Sequence, residues 1–539
     1  MNALLIVGSL IVLFLALAAF EGLLRLVGLG APDASRTSVL KYQQIFLPIL
    51  EPATRPDGTP IFETVDPRLP YQTILRVKPA NSLRVFTFGG SAAAGLGFSP
   101  NVTFARHLER MLRAAYPERT VEVMNLAIVA LSSKQVKILV DNACAEFSPD
   151  LAIVYSGNNE FLEAHAKKYA EANATLVGNM VNLLSGTNLY RVLTRLTQRG
   201  RATPSLADRD FSHDDLRLTQ QQIIQDVEMT PEEITAIIDQ YEANIDQMAR
   251  SAVENSVPLL LMAVASNWKW RGRSDLPDTW LSDLLGVPGP PTRERYAQAI
   301  RVLDEKLRNE SEGARYEHLF RRAIAHEKLG NIEAARDDYR AAMNADPHLR
   351  RALDAANERL RRAASRNGVA YMDTPEALTR RAPDGIVGFD EFYDYVHFTP
   401  RGAVLVAAEI FRQEIPRLKL GAPDPSFDVE EYVQRELEKL ENLSEDALAV
   451  REWMGFGFDP AGISDRDLWK YDKLLRELDE RLTRDPGDLR ARVYRGNAHF
   501  FQMDGARQAV RDYRAALDIA GAPPEVQANL EALLRERTP

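Results

Sequence analysis

A short apolar segment that leads directly into two glycines and a serine constrains the fold of this chain most. Residues 83–88 (Leu-Arg-Val-Phe-Thr-Phe) predict a strand, Gly89-Gly90-Ser91 follows it, and an amphipathic helix begins near Phe104. Glycines allow a sharp turn at the end of a buried strand and keep side chains away from whatever binds there. The pattern predicts a βα unit that presents the Ser91 hydroxyl at the mouth of a sheet, although phosphate loops and plain βα turns share it.

Three later segments narrow the choice. Residues 125–133 follow a predicted strand at 120–124, and Ser-Gly-Asn-Asn-Glu at 156–160 follows a predicted strand at 151–155. Asp394-Tyr395-Val396-His397 comes far down the chain. With Gly89-Gly90-Ser91, these segments resemble, in order, spacing and strand context, the four sequence blocks of the SGNH (GDSL-type) hydrolases. The resemblance covers residues 83 to 165 and 366 to 415, and about half of the chain lies outside it.

The resemblance implies a fold and a set of roles. The fold is α/β, a flavodoxin-like three-layer α/β/α domain, here with helical insertions. Ser91 falls on the nucleophile, His397 on the base and Asp394 on the residue that orients the base. Asn159 falls on the asparagine of the oxyanion hole. A shift by one residue to Asn158 fits less well, because Glu160 then loses its place in the Gly-x-Asn-Asp/Glu pattern.

The second block departs from the family pattern at Ala130, where the resemblance implies a glycine. The family uses the backbone N–H of that residue, which alanine keeps. The implied oxyanion hole therefore consists of the Ser91 amide, the Ala130 amide and the Asn159 side chain. The extra methyl group narrows the pocket or tilts the amide if φ at Ala130 is positive.

The chemistry of the residues supports these roles. A serine hydroxyl is a poor nucleophile until a base takes its proton, and imidazole titrates in the range that allows this. Asp394, three residues before His397, can hold the second imidazole nitrogen. Fixed donors would stabilise the negative charge of a tetrahedral intermediate. The plain structural alternatives are an Asx turn at Asn159 and a helix N-cap at Asp394.

Composition excludes several classes of function. The 539 residues predict two to three domains. A net charge of −10 argues against a nucleic-acid partner. The single cysteine, Cys144, rules out an intrachain disulfide and a cysteine-based metal site. No His-Glu-x-x-His motif is present, so we expect neither a metal nor another cofactor.

The N-terminal segment predicts attachment to a membrane. Residues 1–20 carry no charged side chain, and twenty helical residues span about 30 Å, the thickness of a bilayer core. We expect an uncleaved anchor at residues 1–29, and a signal peptide cleaved near Ala16-Leu17-Ala18 is the alternative. Three positive charges follow the segment and favour a cytoplasmic body: Arg25, Arg36 and Lys41. The resemblance to envelope-modifying SGNH proteins instead favours a single-pass inner-membrane protein with a periplasmic catalytic domain.

The rest of the chain divides by composition. The predicted segments are a proline-rich stalk or linker at 30–82, hydrolase core at 83–165, a helical insertion at 166–240, a middle core strand at 241–275, an insertion at 276–365, core with the Asp-x-x-His block at 366–418, a linker at 419–475 and C-terminal helices at 476–535. Trp268 and Trp270 follow the middle strand, at the end where open α/β sheets place ligands. They either line a substrate groove or pack under the insertions.

Two helical hairpins carry a pattern similar to tetratricopeptide repeats. Gly330, Ala335, Tyr339, Ala342 and Pro347 match the later half of such a repeat, and a second unit with Gly496, Ala509, Tyr513 and Ala516 has one residue more in its first half. Two isolated repeats are too few for a stable solenoid. Each must pack on the hydrolase domain, on the other repeat or on a protein partner, unless both are simple helical supports.

These observations predict a membrane-anchored serine esterase or O-acyltransferase that acts on acyl or acetyl esters of an envelope glycan or lipid. Hydrolysis and transfer share one triad, so the sequence leaves both open. The competing interpretation is a degenerate hydrolase fold that serves as a scaffold for an envelope complex. Ala130 and the large insertions favour that scaffold, whereas the intact Ser91, Asp394 and His397 oppose it.

Overall fold

The computed structural model of this protein describes residues 43–530, apart from residues 56, 67, 71, 97–102, 173–228, 271–279, 310–311, 347, 350, 393, 442–477, 480, 501–505, 523–525 and 528–529. The expected anchor at 1–29 and most of the expected insertion at 166–240 lie outside these residues. Within the described part of the chain, no helix combines the length and the apolar character needed to cross a membrane.

The chain divides into two compact units, residues 1–44 with 163–227, and residues 45–162 with 228–539. Of the first unit, the structure describes residues 43–44 and 163–172. Apart from residues 163–172, the elements named below belong to the second unit. The strands are β1 (Leu50–Thr54), β2 (Pro60–Thr64), β3 (Thr73–Leu75), β4 (Ser82–Gly89), β5 (Thr120–Asn125), β6 (Leu151–Tyr155), β7 (Leu259–Met262) and β8 (Ala370–Met372). The helices are α1 (Ser91–Ala94), α2 (Phe104–Ala115), α3 (Ser133–Glu146), α4 (Glu160–Ala172), α5 (Pro231–Glu254), α6 (Trp280–Leu285), α7 (Arg293–Asn309), α8 (Glu312–Leu329), α9 (Ile332–Asn344), α10 (Asp354–Asn367), α11 (Thr374–Thr379), α12 (Pro400–Glu414), α13 (Val429–Glu441), α14 (Leu489–Phe500) and α15 (Ala506–Leu517).

A parallel sheet of five strands forms the centre of the second unit. Its order is β5-β4-β6-β7-β8, and every neighbouring pair is parallel. Counted along the chain this is the doubly wound order 2-1-3-4-5 typical of flavodoxin-like sheets. Strands β4, β6 and β7 are buried along their whole length, as central parallel strands must be when helices cover both faces. The predicted α/β fold with a parallel sheet is confirmed.

Helices cover the sheet in two layers. Helices α3, α5 and α10 pack side by side, and α2 packs against α12. The crossover from β4 to β5 through α2 runs in the opposite direction to the crossover from β5 to β6 through α3. Because such crossovers are right-handed, the two helices lie on opposite faces of the sheet. Helix α5 is continuous across the boundary that the sequence placed between residues 240 and 241.

Much of the proline-rich segment expected to be a stalk forms an antiparallel sheet instead. Strand β1 pairs with β2, and β2 pairs with β3. The prolines are compatible with strands because Pro60 is the first residue of β2 and Pro52 lies on the edge strand β1, where a missing N–H is tolerated. Gln72, next to β3, exchanges two hydrogen bonds with the Asn125 backbone, at 2.9 and 2.8 Å. This sheet is therefore fixed to the carboxyl end of β5.

Part of the expected linker at 419–475 is also structured. Helix α13 packs on α12 and buries Tyr432 and Val433. The Tyr432 hydroxyl lies 3.2 Å from His107 Nδ1 on α2 and accepts a hydrogen bond from Arg110 Nε at 3.3 Å. An amphipathic helix with an aromatic anchor thus extends the α2–α12 layer.

The two predicted helical hairpins share one packing scheme. On α8, Arg322 forms a two-nitrogen contact with Asp338 of α9 and reaches Asp304 of α7. On α14, Arg495 makes the same kind of contact with Asp512 of α15 and reaches Asp479. The residue after each bidentate aspartate is a buried tyrosine, Tyr339 or Tyr513. The hairpins are therefore structural equivalents, and their relation to tetratricopeptide repeats stays a prediction.

Candidate active site

The sheet topology selects one crevice for a functional site. Strand β4 lies between β5 and β6, and the chain leaves β4 and β6 towards opposite edges of the sheet. Open α/β sheets bind ligands at such a switch point, outside the carboxyl ends of the strands. Ser91 begins α1 directly after β4, and Asn159 follows β6. The two residues therefore meet at this crevice.

The two glycines before Ser91 are required by close contacts. A Cβ on Gly89 would lie 2.1 Å from the Tyr155 carbonyl oxygen of β6, which cannot move without breaking the sheet. A Cβ on Gly90 would lie 2.3 Å from Asn159 Nδ2 and 3.0 Å from the Leu131 carbonyl oxygen. Glycine at both positions lets the first, second and third sequence blocks converge on Ser91.

The predicted serine, histidine and aspartate form a hydrogen-bonded line. His397 Nε2 lies 2.8 Å from Ser91 Oγ, and His397 Nδ1 lies 2.6 Å from Asp394 Oδ2. Because an ionised carboxylate only accepts hydrogen bonds, Nδ1 carries the proton and Nε2 accepts from the serine hydroxyl. Ser91 and His397 are 8% and 5% exposed, so this line is largely shielded from water. The arrangement is that of a nucleophile, a general base and an orienting acid.

Asp394 stays ionised in this setting. Its Oδ1 accepts hydrogen bonds from the backbone N–H groups of Val396 and His397, at 2.9 and 2.8 Å. Burial alone would raise the pKa of the Asp394 carboxyl, but its electrostatic attraction to the His397 ring and the hydrogen bonds from His397 and the Val396 N–H hold that pKa below its ordinary value. A charged Asp394 keeps the imidazole oriented and stabilises the imidazolium formed during proton transfer.

The turn that carries His397 is fixed by its surroundings. Phe392 and Phe398 stack with ring centroids 4.9 Å apart, and the Thr399 N–H donates to the Glu391 carbonyl oxygen at 2.9 Å. Thr399 also caps α12, since its hydroxyl accepts from the Gly402 N–H. Gly402 has no room for a side chain, because a Cβ there would lie 2.2 Å from the Glu391 carbonyl oxygen. The helix start therefore locks the histidine turn against the preceding loop.

The structure places Ala130 in the left-handed region, with φ 63° and the residue buried. With a positive φ, the methyl group of Ala130 is expected to narrow the pocket or tilt the backbone amide. This conformation costs an alanine about 1–2 kcal/mol. The surrounding loop holds it there: Asn125 Oδ1 accepts from the Ala127 N–H at 3.1 Å, and Asn125 Nδ2 donates to the Ala93 carbonyl oxygen of α1 at 2.9 Å. The second block is thus tied directly to the helix that starts with Ser91.

The two neighbouring asparagines have different surroundings. Asn159 Nδ2 donates to the Leu131 carbonyl oxygen at 3.0 Å and lies directly over Gly90. Asn158 Oδ1 instead accepts from the Ala352 N–H at 3.2 Å. Asn159 Nδ2 carries a second N–H, so it can serve as a donor beside Ser91, whereas Asn158 joins the third block to the segment before α10.

Sequence reasoning missed the contribution of Glu160. Its two carboxylate oxygens accept hydrogen bonds from the Ser133 N–H and the Ser133 hydroxyl, at 2.9 and 2.7 Å. Asn244 of α5 donates to the same hydroxyl at 2.9 Å. Ser133 begins α3, where a carboxylate also complements the helix dipole. Glu160 therefore fixes the loop of Ala130 relative to Asn159, and its place in the Gly-x-Asn-Asp/Glu pattern was the signal available.

The structure separates the two tryptophans of the predicted groove. Trp268 is buried, and its backbone N–H donates to the Val387 carbonyl oxygen at 3.2 Å. Trp270 is half-buried and packs on Tyr395 with ring centroids 5.0 Å apart. Tyr395 in turn contacts the His397 imidazole edge-on, with centroids 5.9 Å apart. Trp270 thus lies beside the histidine turn, whereas Trp268 is buried and bonded to the loop at Val387.

Other reactive groups of the described residues lie outside this arrangement. Cys144 is buried in α3, and burial raises the pKa of its thiol to about 12. Across the ranges that the structure describes, no group of three or more His, Cys, Asp or Glu side chains could hold a metal ion.

Comparisons with known proteins add little to this geometry. No protein-family description matches the chain, and no curated protein matches it. Among solved structures, the chain is similar to the acetyl xylan esterase AlAXEase (11% identity, TM-score 0.29, covering 62% of this chain and 100% of that one). It is also similar to Axe2, an acetylxylan esterase from Geobacillus stearothermophilus (11% identity, TM-score 0.29, covering 66% of this chain and 98% of that one). A third similar structure is a lipase/acylhydrolase from Enterococcus faecalis (10% identity, TM-score 0.29, covering 64% of this chain and 100% of that one). With TM-scores this low, these likenesses do not establish a family or an activity, and the residues of the site must carry the assignment.

Proposed function

We propose that this protein is a serine hydrolase of the SGNH type that cleaves or transfers acyl groups through an acyl-Ser91 intermediate. The observation that carries the proposal is the line from Ser91 Oγ to His397 Nε2 to Asp394 Oδ2, with 2.8 and 2.6 Å between successive partners. These distances lie within hydrogen-bond reach for general-base catalysis.

Acylation begins when Ser91 Oγ attacks the ester carbonyl carbon and its proton passes to His397 Nε2. The negative charge that develops on the carbonyl oxygen is assigned to the Ser91 and Ala130 amides and the Asn159 side chain. Collapse of the tetrahedral intermediate breaks the bond to the alcohol oxygen. The leaving alcohol takes the proton from Nε2, and the acyl group stays on Ser91.

Deacylation repeats these steps with a new nucleophile. His397 Nε2 takes a proton from a water or from the hydroxyl of an acceptor, whose oxygen then attacks the acyl-Ser91 carbonyl. When the intermediate collapses, Ser91 Oγ leaves and recovers the proton. Water releases a free acid, and a hydroxyl acceptor receives the acyl group, so one set of residues serves an esterase and an O-acyltransferase.

A fluorophosphonate probe and p-nitrophenyl acetate test the proposal. The wild-type protein should be labelled once and should hydrolyse the ester, and Ser91→Ala should abolish both. Ser156→Ala is the matched control, because Ser156 is a buried serine at the end of the neighbouring strand β6. Labelling that survives in Ser91→Ala would refute the site.

The substrate and location belong to the same proposal. An acyl or acetyl ester of an envelope glycan or lipid fits a hydrolase held at a membrane by the predicted anchor at residues 1–29. The full-length protein should then resist extraction by carbonate and high salt, and a chain starting at residue 31 should be soluble and active. Protease should digest the body in spheroplasts if it faces the periplasm. Protection in sealed spheroplasts would refute the periplasmic location.

A scaffold without catalysis is the second candidate. The strained Ala130 favours it, because a left-handed alanine replaces the expected glycine at an oxyanion donor. Such a scaffold would use the two hairpins, which resemble tetratricopeptide repeats, to hold protein partners. It predicts a folded protein that neither reacts with fluorophosphonate nor turns over an ester, so the experiment above separates the two functions.

A further inference from the structure

Residues 264–270 form the turn that follows β7 and are here called the β7 turn. This turn is attached at several points to the predicted insertion at 276–365, which is the helical insertion meant from here on. Asn357 accepts from the Val264 N–H and donates to the Val264 carbonyl oxygen, both at 2.9 Å. Lys269 Nζ pairs with Glu327 of α8 at 2.7 Å. The insertion therefore contacts the catalytic end of the sheet along one continuous turn.

Arg351 makes the most deeply buried of these attachments. It is 1% exposed, and Nη1 donates to the Asn267 carbonyl oxygen at 2.6 Å. Nη2 donates to the Trp270 carbonyl oxygen at 3.3 Å, and the guanidinium carbon lies 5.7 Å from the centre of the Trp270 ring. Burying a guanidinium is costly unless its donors are used, and here they fix the two ends of the segment from Asn267 to Trp270.

The opposite side of the β7 turn contacts the residues between Asp394 and His397. The Asn267 N–H donates to the Tyr395 carbonyl oxygen at 3.0 Å. The Trp270 and Tyr395 rings pack at 5.0 Å, and the Tyr395 and His397 rings pack edge-on at 5.9 Å. Packed rings of this kind restrict each other's orientation. A continuous series of contacts thus runs from Arg351 to the imidazole.

We propose that Arg351, Trp270 and Tyr395 are positioning residues through which the helical insertion sets the orientation of His397. The inference rests on the proposed function, since it assigns a role towards the general base of that reaction. The hydrogen bond between the His397 imidazole and the Ser91 hydroxyl tolerates little displacement, because a shift of either group by about 1 Å can cost about a hundredfold in rate. If the ring contacts are lost, the imidazole keeps its hydrogen bond to Asp394 but loses the Tyr395 ring that restricts its tilt.

Kinetics on p-nitrophenyl acetate with the full chain test this role. Trp270→Ala should lower kcat at least tenfold and leave KM within twofold, because a misoriented His397 slows proton transfer and does not weaken substrate binding. Trp270→Phe should recover most of kcat by restoring a ring against Tyr395. Arg351→Met should resemble Trp270→Ala. The matched control is Arg359→Met, since the partners of Arg359, Asp239 and Glu242, lie on α5 rather than on the β7 turn.

Each rate should be divided by the concentration of sites that fluorophosphonate labels. A low rate then reflects slow catalysis rather than a fraction of unfolded protein. If a Trp270 or Arg351 variant fails to fold, Tyr395→Leu provides the same measurement from the other end of the series. The proposal is overturned if kcat is unchanged, if KM rises while kcat stays constant, if phenylalanine gives no recovery, or if Arg359→Met causes an equal loss. A wild-type protein that shows no Ser91-dependent turnover would instead refute the proposed function.

Discussion

Replacing Gly90 by alanine should disable the oxyanion hole and leave the fold intact. The new Cβ would lie 2.3 Å from Asn159 Nδ2, whereas ordinary contacts begin at 3.4 Å, so the amide must move by about 1.1 Å. A displacement of that size costs about a hundredfold in rate, or about 2.7 kcal/mol of transition-state stabilisation. Loss of one oxyanion donor costs about 10²- to 10³-fold in kcat, which sets the scale for Asn159→Ala.

A double-mutant cycle isolates the cause. In Asn159→Ala the clashing amide is gone, so adding Gly90→Ala should lower kcat by no more than about threefold. Independent effects would multiply to about 10⁴ or more, so the expected coupling energy is about 2–2.7 kcal/mol. The kinetics of p-nitrophenyl acetate hydrolysis give kcat and KM for the wild type, both single variants and the double variant. Asn158→Ala serves as the control: it should cost about 1 kcal/mol of stability through its lost hydrogen bond to Ala352, with a small effect on kcat.

Two results would refute this reasoning. If Gly90→Ala keeps kcat within about threefold of wild type, Asn159 is not the donor that the new methyl group displaces. If the double variant multiplies the two single losses, the methyl group acts elsewhere, with the Leu131 carbonyl oxygen at 3.0 Å as the remaining contact. Gly89 does not offer the same test, because a Cβ there meets the β6 backbone at 2.1 Å and should prevent folding.

Three further substitutions test the surroundings of the site. Glu160→Ala should lower kcat at least tenfold with little change in KM. Glu160→Gln should keep most of the wild-type kcat, because an amide can accept from the Ser133 N–H and donate to the Ser133 hydroxyl. Equal losses of kcat for the two variants in steady-state assays would contradict this role. Ala130→Gly removes about 1–2 kcal/mol of left-handed strain, and the greater freedom of the unfolded chain offsets about 0.5–1 kcal/mol of that gain. Tm should therefore stay level or rise slightly and kcat should stay near wild type, and a tenfold change in kcat would show that the methyl group shapes the pocket. Burial raises the pKa of Glu391 in the folded state, so folding favours the neutral form of its carboxyl. Glu391→Gln should therefore raise Tm most at pH values above the folded-state pKa. The gain should shrink as pH falls towards about 4.3, where the carboxyl is also protonated in the unfolded chain. A gain in Tm that does not vary with pH would refute the assignment to ionisation.

The sequence can predict which side chains lie close together where their placement depends on local chain geometry. Ser91 and Asn159 each follow a buried strand, and the ends of parallel strands meet at one edge of a sheet whatever lies between them in the chain. Asp394 and His397 are three residues apart, so one turn can align them. The positions of these four residues therefore follow from strand order and short spacing.

Proline content misled the prediction for residues 50–75. Several prolines in a short segment predict a stalk, but a proline at the first position of β2 and another on an edge strand leave the ladder of hydrogen bonds intact. The alternation that marks a strand is short here, with five residues in β1 and three in β3. What stabilises this sheet is its attachment through Gln72 to Asn125, a contact between distant segments that local patterns do not contain.

The candidate site has two supports that differ in origin, and this explains which of them the sequence could reveal. On the oxyanion side, Glu160 lies in the third block and acts on Ser133 at the end of the second, so a pattern that contains Asn159 also contains its support. On the base side, Arg351 belongs to the helical insertion and carries no motif. Its contact exists only because the insertion packs on the β7 turn. The insertion is therefore more than an addition to a finished α/β domain, since its packing and the proposed orientation of His397 depend on the same residues.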